Sequence, residues 1–377
     1  MSAWPGKFVI GLTGNIATGK SLVRRMLEHL GAYGIDADAL GHRAMARGAP
    51  GYHPVVETFG RWILNSDEQI DRRRLAKVVF SDVDALARLE AIIHPLVFQA
   101  VDLLAMRTNR SVIALEAIKL IESGLHSKCD TIWVTHAPQE IQLARLMHRR
   151  HMGEVQANQR ITAQSPPELR IETADVVIQN HGSFEDTWQN VLSAWQQLFP
   201  TFDAEAILTA SRTEGGFTVQ RARPRQAEEI AAFISRLSNG SQMMSREDVL
   251  DGFGEKAYML LRSERDLVGV LGWQVENLVA RVDDVYIEQT ISYQEAMQAV
   301  LCEIEQASIE LQCEIILLFV PPNIARESHL WTDLGYELRT VSSLGIRAWQ
   351  EAAVESMPYK SAMLYKQLRL DRVLRPM

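Results

Sequence analysis

The chain has 377 residues, 47% apolar and 23% charged, and its 39 Lys and Arg against 47 Asp and Glu leave a net charge of −8. That length exceeds one typical domain and is enough for two cores, and the composition is that of an ordinary soluble globular protein. A mildly acidic balance argues against general binding of nucleic acid or anionic membranes.

Cys129, Cys302 and Cys313 lack C-x-x-C spacing, so they are expected as buried thiols in a reducing compartment rather than as a zinc site or a disulfide framework. There is neither a signal-peptide pattern nor an unbroken apolar run of about 18 residues, and the expected location is cytoplasmic.

Phe8 to Leu12 is a short apolar run, predicted as a buried strand. It leads into Gly14-Asn15-Ile16-Ala17-Thr18-Gly19-Lys20-Ser21, which fits G-x-x-x-x-G-K-[ST] at every fixed position and precedes the amphipathic pattern Leu22, Val23, Met26, Leu27, Leu30. Strand, loop and helix in that order predict a phosphate-binding P-loop for ATP, with Gly14 through Leu22 as nucleotide contacts. Gly14 and Gly19 let successive N–H groups turn inward as an anion nest, and the following helix directs its positive end at the same phosphates. Lys20 is expected on the β- and γ-phosphates, and the Ser21 hydroxyl on Mg²⁺.

Gly31 and Gly34 bracket a turn into Ile35-Asp36-Ala37-Asp38. A strand ending at Asp36 brings two carboxylates to the carboxyl edge of an open α/β sheet, where ligands bind. Asp38 and Asp36 are therefore candidates to accept a proton from an attacking hydroxyl and to orient the acceptor, against the alternative that one of them only caps a helix near Ala39.

From 52 to 109 the pattern is helical, with turns at 65–67 and 81–82. Asp71-Arg72-Arg73-Arg74 reads either as a solvated helix face or as a grip on a phosphorylated acceptor, with Arg73 the candidate contact. His94-Pro95 is expected to interrupt the helix, since proline disfavours helix in the residue before it. His94 is either a packed residue or an acceptor contact. Ser111 to Leu115 is a third strand ending at Glu116, which is either a site acid for the Mg²⁺ shell and the substrate or a plain strand-end carboxylate.

Thr131 to Thr135 is a fourth strand, and a helix from Pro138 carries Arg145 and Arg149. The polar stretch from His151 past Arg160 to Arg170, with Pro166-Pro167, reads as a lid whose arginines close on the transferring phosphate. Asp175 to Ile178 is a fifth strand, after which Asn180 is expected at the nucleotide and a helix runs through Leu198. Strand and helix alternation predicts a doubly wound parallel sheet.

These blocks, GLTGNIATGKS, IDADALGH, DRRRLAKVVFSD, LEAIIHPLV, APQEIQLARLMHRR, RITAQ and ADVVIQNHGS, resemble dephospho-coenzyme A kinases in order and spacing over about residues 8 to 198. The resemblance implies transfer of the ATP γ-phosphate to the 3′-hydroxyl of dephospho-CoA, the last step of coenzyme A synthesis, with Mg²⁺. It implies Asp38 as general base, Lys20 and Ser21 as phosphate and metal ligands, and Arg145 as the phosphate-stabilising arginine. His94 and Arg73 fall on positions near the acceptor. Three departures stand out in the loop: Asn15 and Ala17 where glycine is frequent, and Leu22 where threonine is. Between Glu116 and Glu122 the carboxylate ends are kept and the middle is changed, which bears on acceptor binding around Lys119.

A linker is expected over 201–216, separating a kinase-like domain, 1–200, from a second domain, 217–377. Predicted elements there are strands Phe217 to Arg221, Ala257 to Arg262, Leu267 to Gln274, Val279 to Ile287 and Glu314 to Val320. Helices are predicted over Ala227 to Leu237, Ala296 to Leu311 and His329 to Leu334. With the ending Leu334-Gly335-Tyr336-Glu337 this α+β order is similar to a GNAT-type acyltransferase. That fold places a glycine-rich pyrophosphate turn where this chain has Glu288-Gln289-Thr290-Ile291-Ser292-Tyr293-Gln294-Glu295, without glycine and with added acids. The expectation is a non-catalytic module for interaction, dimerisation or CoA sensing. Two alternatives for the chain stay open: a P-loop kinase of another small molecule, and a regulatory protein that binds nucleotide or CoA without turnover.

Overall fold

The computed structural model describes residues 3–150, 152–200, 211–214, 216–238, 243–370 and 373. Two compact units emerge, the first comprising Met1–Ile35, Asn109–Gln274 and Val282–Ala307, the second Asp36–Thr108, Val275–Arg281 and Ser308–Met377. Each unit draws on both sides of the expected linker, of which 201–210 and 215 lie outside the described residues.

In the first unit, strands β1 (Phe8–Gly14), β2 (Tyr33–Asp36), β3 (Val112–Glu116), β4 (Thr131–His136) and β5 (Val176–Gln179) form a sheet in the order β2-β3-β1-β4-β5. β1 runs parallel to β3 and to β4, and β4 to β5. This is the doubly wound P-loop arrangement, with the first strand central and its carboxyl end feeding the loop. Ile10, Leu12, Val112, Ala114 and Trp133 from the sheet pack with Val23, Met26 and Leu27 of the helix Lys20–His29, with Leu30 that ends it, and with Trp188, Val191 and Trp195 of the helix Phe184–Leu198. Ser183 starts the latter helix with a capping box, accepting from the Asp186 amide while Asp186 accepts from its own. The stretch read as a polar lid is largely helical, Glu154–Thr162 and Pro167–Ile171.

The same unit holds an antiparallel ladder, β6 (Ser211–Glu214), β7 (Phe217–Arg221), β8 (Ala257–Ser263) and β9 (Asp266–Glu276), paired in succession. β6 lies within the stretch expected as a linker. Glu214 pairs with Phe217, and Gly216 takes a left-handed φ of 82 that glycine adopts without strain. The Met-rich stretch leads into a helix, Arg246–Phe253, capped by Ser245 and Asp248.

In the second unit, Asp36 caps the helix Ala37–Ala44, Asp71 the helix Arg72–Val79 and Asp82 the helix Val83–Arg107. The last runs through Pro95 instead of stopping at His94. An internal proline costs about 3 kcal/mol through its missing N–H. Burial of Ile93, Val97, Ala100, Val101 and Leu104 along this helix offsets that. It is the one described helix long and apolar enough to cross a membrane, and here it packs against the helices Ala37–Ala44, Tyr52–Phe59 and Arg72–Val79. β10 (Val279–Ile287) begins in this unit, which also contains β11 (Ile315–Val320), β12 (Glu337–Arg339) and β13 (Ala362–Gln367), the last antiparallel to both β11 and β12. The helix Arg347–Ser356 covers them through Trp349, Ala352 and Ala353. That helix and β13 follow the last element read from sequence.

Candidate functional site

Within the first unit, the chain leaves β1 in a loop whose backbone is left-handed at Gly19 (φ 96) and at Ala17 (φ 58). Gly19 has no room for a side chain, because a Cβ there would lie 1.9 Å from Nδ2 of Asn180. At Gly14 a Cβ would lie 2.4 Å from the Thr135 hydroxyl. Ala17 is different: its methyl group is tolerated at a backbone angle that glycine adopts without strain, at a cost of about 1–2 kcal/mol. Here lies the physical consequence of one departure noted in the sequence.

The loop is held from all sides. Asn180 donates to the Thr18 carbonyl at 2.8 Å, and Arg145 donates to the carbonyls of Ala17 (3.1 Å) and Asn180 (3.0 Å). The Thr18 and Thr135 hydroxyls share a hydrogen bond at 2.7 Å. From the lid, Gln164 accepts from the Ile16 amide at 2.7 Å, the Ser165 carbonyl accepts from Asn15 at 3.2 Å, and buried Arg170 donates to the Asn15 side chain. Asn15, the second departure, is thus an anchor between loop and lid that a glycine could not supply. Lys20, only 8% exposed, turns its ammonium onto the carbonyls of Gly14 and Asn15, both at 3.0 Å.

Both kept carboxylates of the altered stretch after β3 have a partner here. Glu116, buried, accepts from the Ser21 hydroxyl at 2.8 Å and from Arg24 Nε at 2.7 Å. Glu122 accepts from Arg170 at 2.9 Å. Lys119 lies between them, half-buried, with its carbonyl accepting from the Ser123 amide. Arg160 is exposed on the last turn of the helix Glu154–Thr162, and the side chain of Arg149 lies outside the described residues.

A cavity of 270 Å³ opens on the loop, lined by Ala17, Gly19, Lys20, Ser21, Leu22, Arg145 and Asn180, and also by Asp251 and Gly254 from the second half of the chain. Leu22, the third departure, explains itself: a Cβ at Gly254 would lie 3.1 Å from its Cδ1, so the leucine packs where the second half comes closest. Nearby, the His29 ring meets Trp188 and Phe253 edge-on, and Arg221 donates to the Glu28 carbonyl at 3.4 Å. Burial, then the charges of Arg221 and Arg25, push the His29 pKa down to about 3, and burial lowers that of Arg221 to about 10. No sequence signal pointed to these contacts, since they join segments far apart along the chain.

Within the second unit is a larger cavity, of 590 Å³. Asp36, Asp38, His42, Asp71, Arg72 and Arg73 line one part of it. Asp36 does cap its helix, accepting from the Ala39 amide at 2.9 Å, and still faces this space. Arg73 is exposed at the start of its helix. Burial and the neighbouring Arg72 lower the pKa of His42, while Glu351 opposes them. His94 is not among the lining residues; half-buried, it stacks parallel to Phe98 with ring centroids 6.4 Å apart. Glu116 and Lys119 belong to the first unit and line neither cavity.

With this geometry in hand, similarity to known proteins is informative. A family model described as dephospho-CoA kinase matches residues 8–186. The dephospho-CoA kinase of Geobacter metallireducens is 43% identical over 192 residues, which are 50% of this chain and 96% of that protein. Among solved structures, TT1252 from Thermus thermophilus is 30% identical with a TM-score of 0.47, covering 51% of this chain and 98% of that one. An acetyltransferase of the GNAT family from Staphylococcus aureus Mu50 is 12% identical with a TM-score of 0.32, covering 41% of this chain and 99% of that one.

Proposed function

The chain belongs to the dephospho-CoA kinase family and phosphorylates dephospho-CoA with ATP in coenzyme A biosynthesis; from that premise we propose how its own residues divide the work. The amides of Gly14 to Ser21 cradle the ATP phosphates, with Leu22 and Asn180 completing the nucleotide contacts. Lys20 exchanges the Gly14 and Asn15 carbonyls for β- and γ-phosphate oxygens. Arg145 neutralises charge that develops on the transferring group. Arg149 and Arg160 belong to the lid that excludes water.

Asp38 accepts the proton of the acceptor's 3′-hydroxyl as that oxygen attacks the γ-phosphorus. The bond to the β-phosphate oxygen breaks, ADP leaves, and the phosphoryl group ends on the ribose. Asp36, Arg73 and the cavity around them take the acceptor, and His94, Glu116 and Lys119 are further candidate acceptor contacts outside the cavity's lining. Ser21 and Glu116 are oxygen donors side by side, the kind of set a hard divalent cation takes together with water and phosphate oxygens. Bound Mg²⁺ would supply charge neutralisation between the phosphates.

We also propose that residues 1–200 are the kinase domain, joined through 201–216 to a non-catalytic GNAT-like domain over 217–377. Through that second domain the chain would meet a second copy or a protein partner, in the cytoplasm.

What carries the reading is the loop itself: the Lys20 ammonium on its carbonyls and a backbone held in place by Asn180, Arg145 and the lid. The test is ADP release by full-length protein with ATP and Mg²⁺, with and without dephospho-CoA, for wild type and Lys20→Ala. Release should require dephospho-CoA and fall at least about a hundredfold in the variant. Release that ignores dephospho-CoA would contradict the assignment.

A further inference from the structure

This inference deepens the reading above and rests on the acceptor occupying the 590 Å³ cavity. Part of that cavity's wall lies outside the residues 8–186 that match the family: Glu276, Asn277 and Arg281 around the turn between β9 and β10, and Arg347, Glu351 and Glu355 on the helix Arg347–Ser356. Two independent features of this wall ask for a ligand.

The first is a paired arginine site. Glu351 accepts from Arg347 Nε at 2.7 Å and from Arg72 Nη2 at 3.3 Å, so one guanidinium from each half of the chain meets on a single carboxylate. Arg72 is 55% exposed and Glu351 36%, and ion pairs that open to solvent contribute about 0–1 kcal/mol. A diphosphate, with more charge and more acceptor oxygens, competes for both guanidinia at little penalty.

The second feature is a pair of buried polar atoms without partners among the described residues. Arg281 is 3% exposed; its terminal nitrogens bond Glu276, Ser356 and the Ala352 carbonyl, yet its Nε has no acceptor. Asn277 Oδ1 likewise has no donor. Each such atom destabilises the fold until it is satisfied. Both residues line the cavity, and a side-chain turn that opens these atoms to it lets an amide group supply a carbonyl for the one and an N–H for the other. Dephospho-CoA carries both chemistries, a diphosphate and an amide-bearing pantetheine arm.

We propose that the second half of the chain completes the acceptor site, Arg347 taking the diphosphate beside Arg72 and Arg73, and Asn277 with Arg281 holding an amide of the arm. The family-like segment then supplies the reacting end of the pocket, and the second half supplies selection for the rest of the acceptor.

Steady-state kinetics of the full chain test this with Arg347→Gln and Asn277→Gly. The glycine suits the left-handed turn, where Asn277 has φ 52, so only the side-chain amide is lost. Each variant should raise KM for dephospho-CoA about five- to tenfold, as expected for a lost polar contact of 1–1.5 kcal/mol, with KM for ATP changed less than about twofold. Unchanged KM for dephospho-CoA in both, or equal rises in both KM values, would overturn the proposal. Wild-type protein that never needs dephospho-CoA for ADP release would instead sink the reading of the cavity's occupant.

Discussion

At the nucleotide loop, shape is kept mostly by neutral backbone groups: carbonyls of Gly14, Asn15, Ala17 and Thr18 receive donors from Lys20, Arg145 and Asn180. The cavity of the second unit is walled by carboxylates and arginines in near balance, among them Asp38, Glu276, Glu351, Arg72, Arg281 and Arg347. One site is built around a single turn of chain. The other is assembled from three distant segments, and its charges must be paired again whenever an anion enters. On the proposed assignment, phosphate binding and acceptor choice are separate problems, solved by local backbone geometry and by long-range side-chain placement.

If local geometry rules the loop, a single methyl group should ruin it. Gly19→Ala puts a Cβ 1.9 Å from Asn180 Nδ2 at φ 96, so either the loop or Asn180 must move. Calorimetric ATP binding should weaken at least about a hundredfold, since the phosphate-facing amides lose their alignment. Dephospho-CoA affinity should stay within about twofold. Equal losses for both ligands would erase the contrast between the two sites.

A smaller effect concerns how the nucleotide helix is joined to the second half within the first unit. His29 is held neutral, with a folded pKa of about 3 against an ordinary 6.5. Its contribution to stability is fully present above pH 6.5 and declines as pH falls toward 3, because only the unfolded chain takes up the proton in that window. The slope is about 1.4 kcal/mol per pH unit. Urea unfolding at pH 6.5 and at pH 5 should therefore differ by about 2 kcal/mol more in wild type than in His29→Phe, which keeps a ring between Trp188 and Phe253. Parallel losses would mean that the histidine is not what ties this junction to pH.

The P-loop and the strands that feed it were legible because their signals are local: an apolar run, two glycines, a lysine and a serine in fixed order. β7, the helix Ala227–Leu237 and β10 likewise have the predicted bounds, since each is a clean apolar pattern between polar turns. Pro95 misled because proline's local penalty is visible in sequence, whereas the burial that outweighs it is not. β6 was hidden because four polar residues, SRTE, become a strand only through pairing with β7. Glu116 was legible as a strand-end carboxylate at the site, but its hydrogen bonds to Ser21 and Arg24 exist only after folding. Asn277, Arg281 and Arg347 carry no motif at all; their relation to Asp38 and Arg72 exists only after folding.

Comparing Asp38→Asn with wild type tests the central claim most directly, using acceptor-dependent ADP release alongside the affinities for ATP and dephospho-CoA. Loss of the group that receives the hydroxyl proton should lower kcat about a hundred- to ten-thousandfold, with both affinities kept within about threefold. An Asp38→Asn chain that still turned over at the wild-type rate would show that another group takes that proton and that the acceptor cavity has been misread.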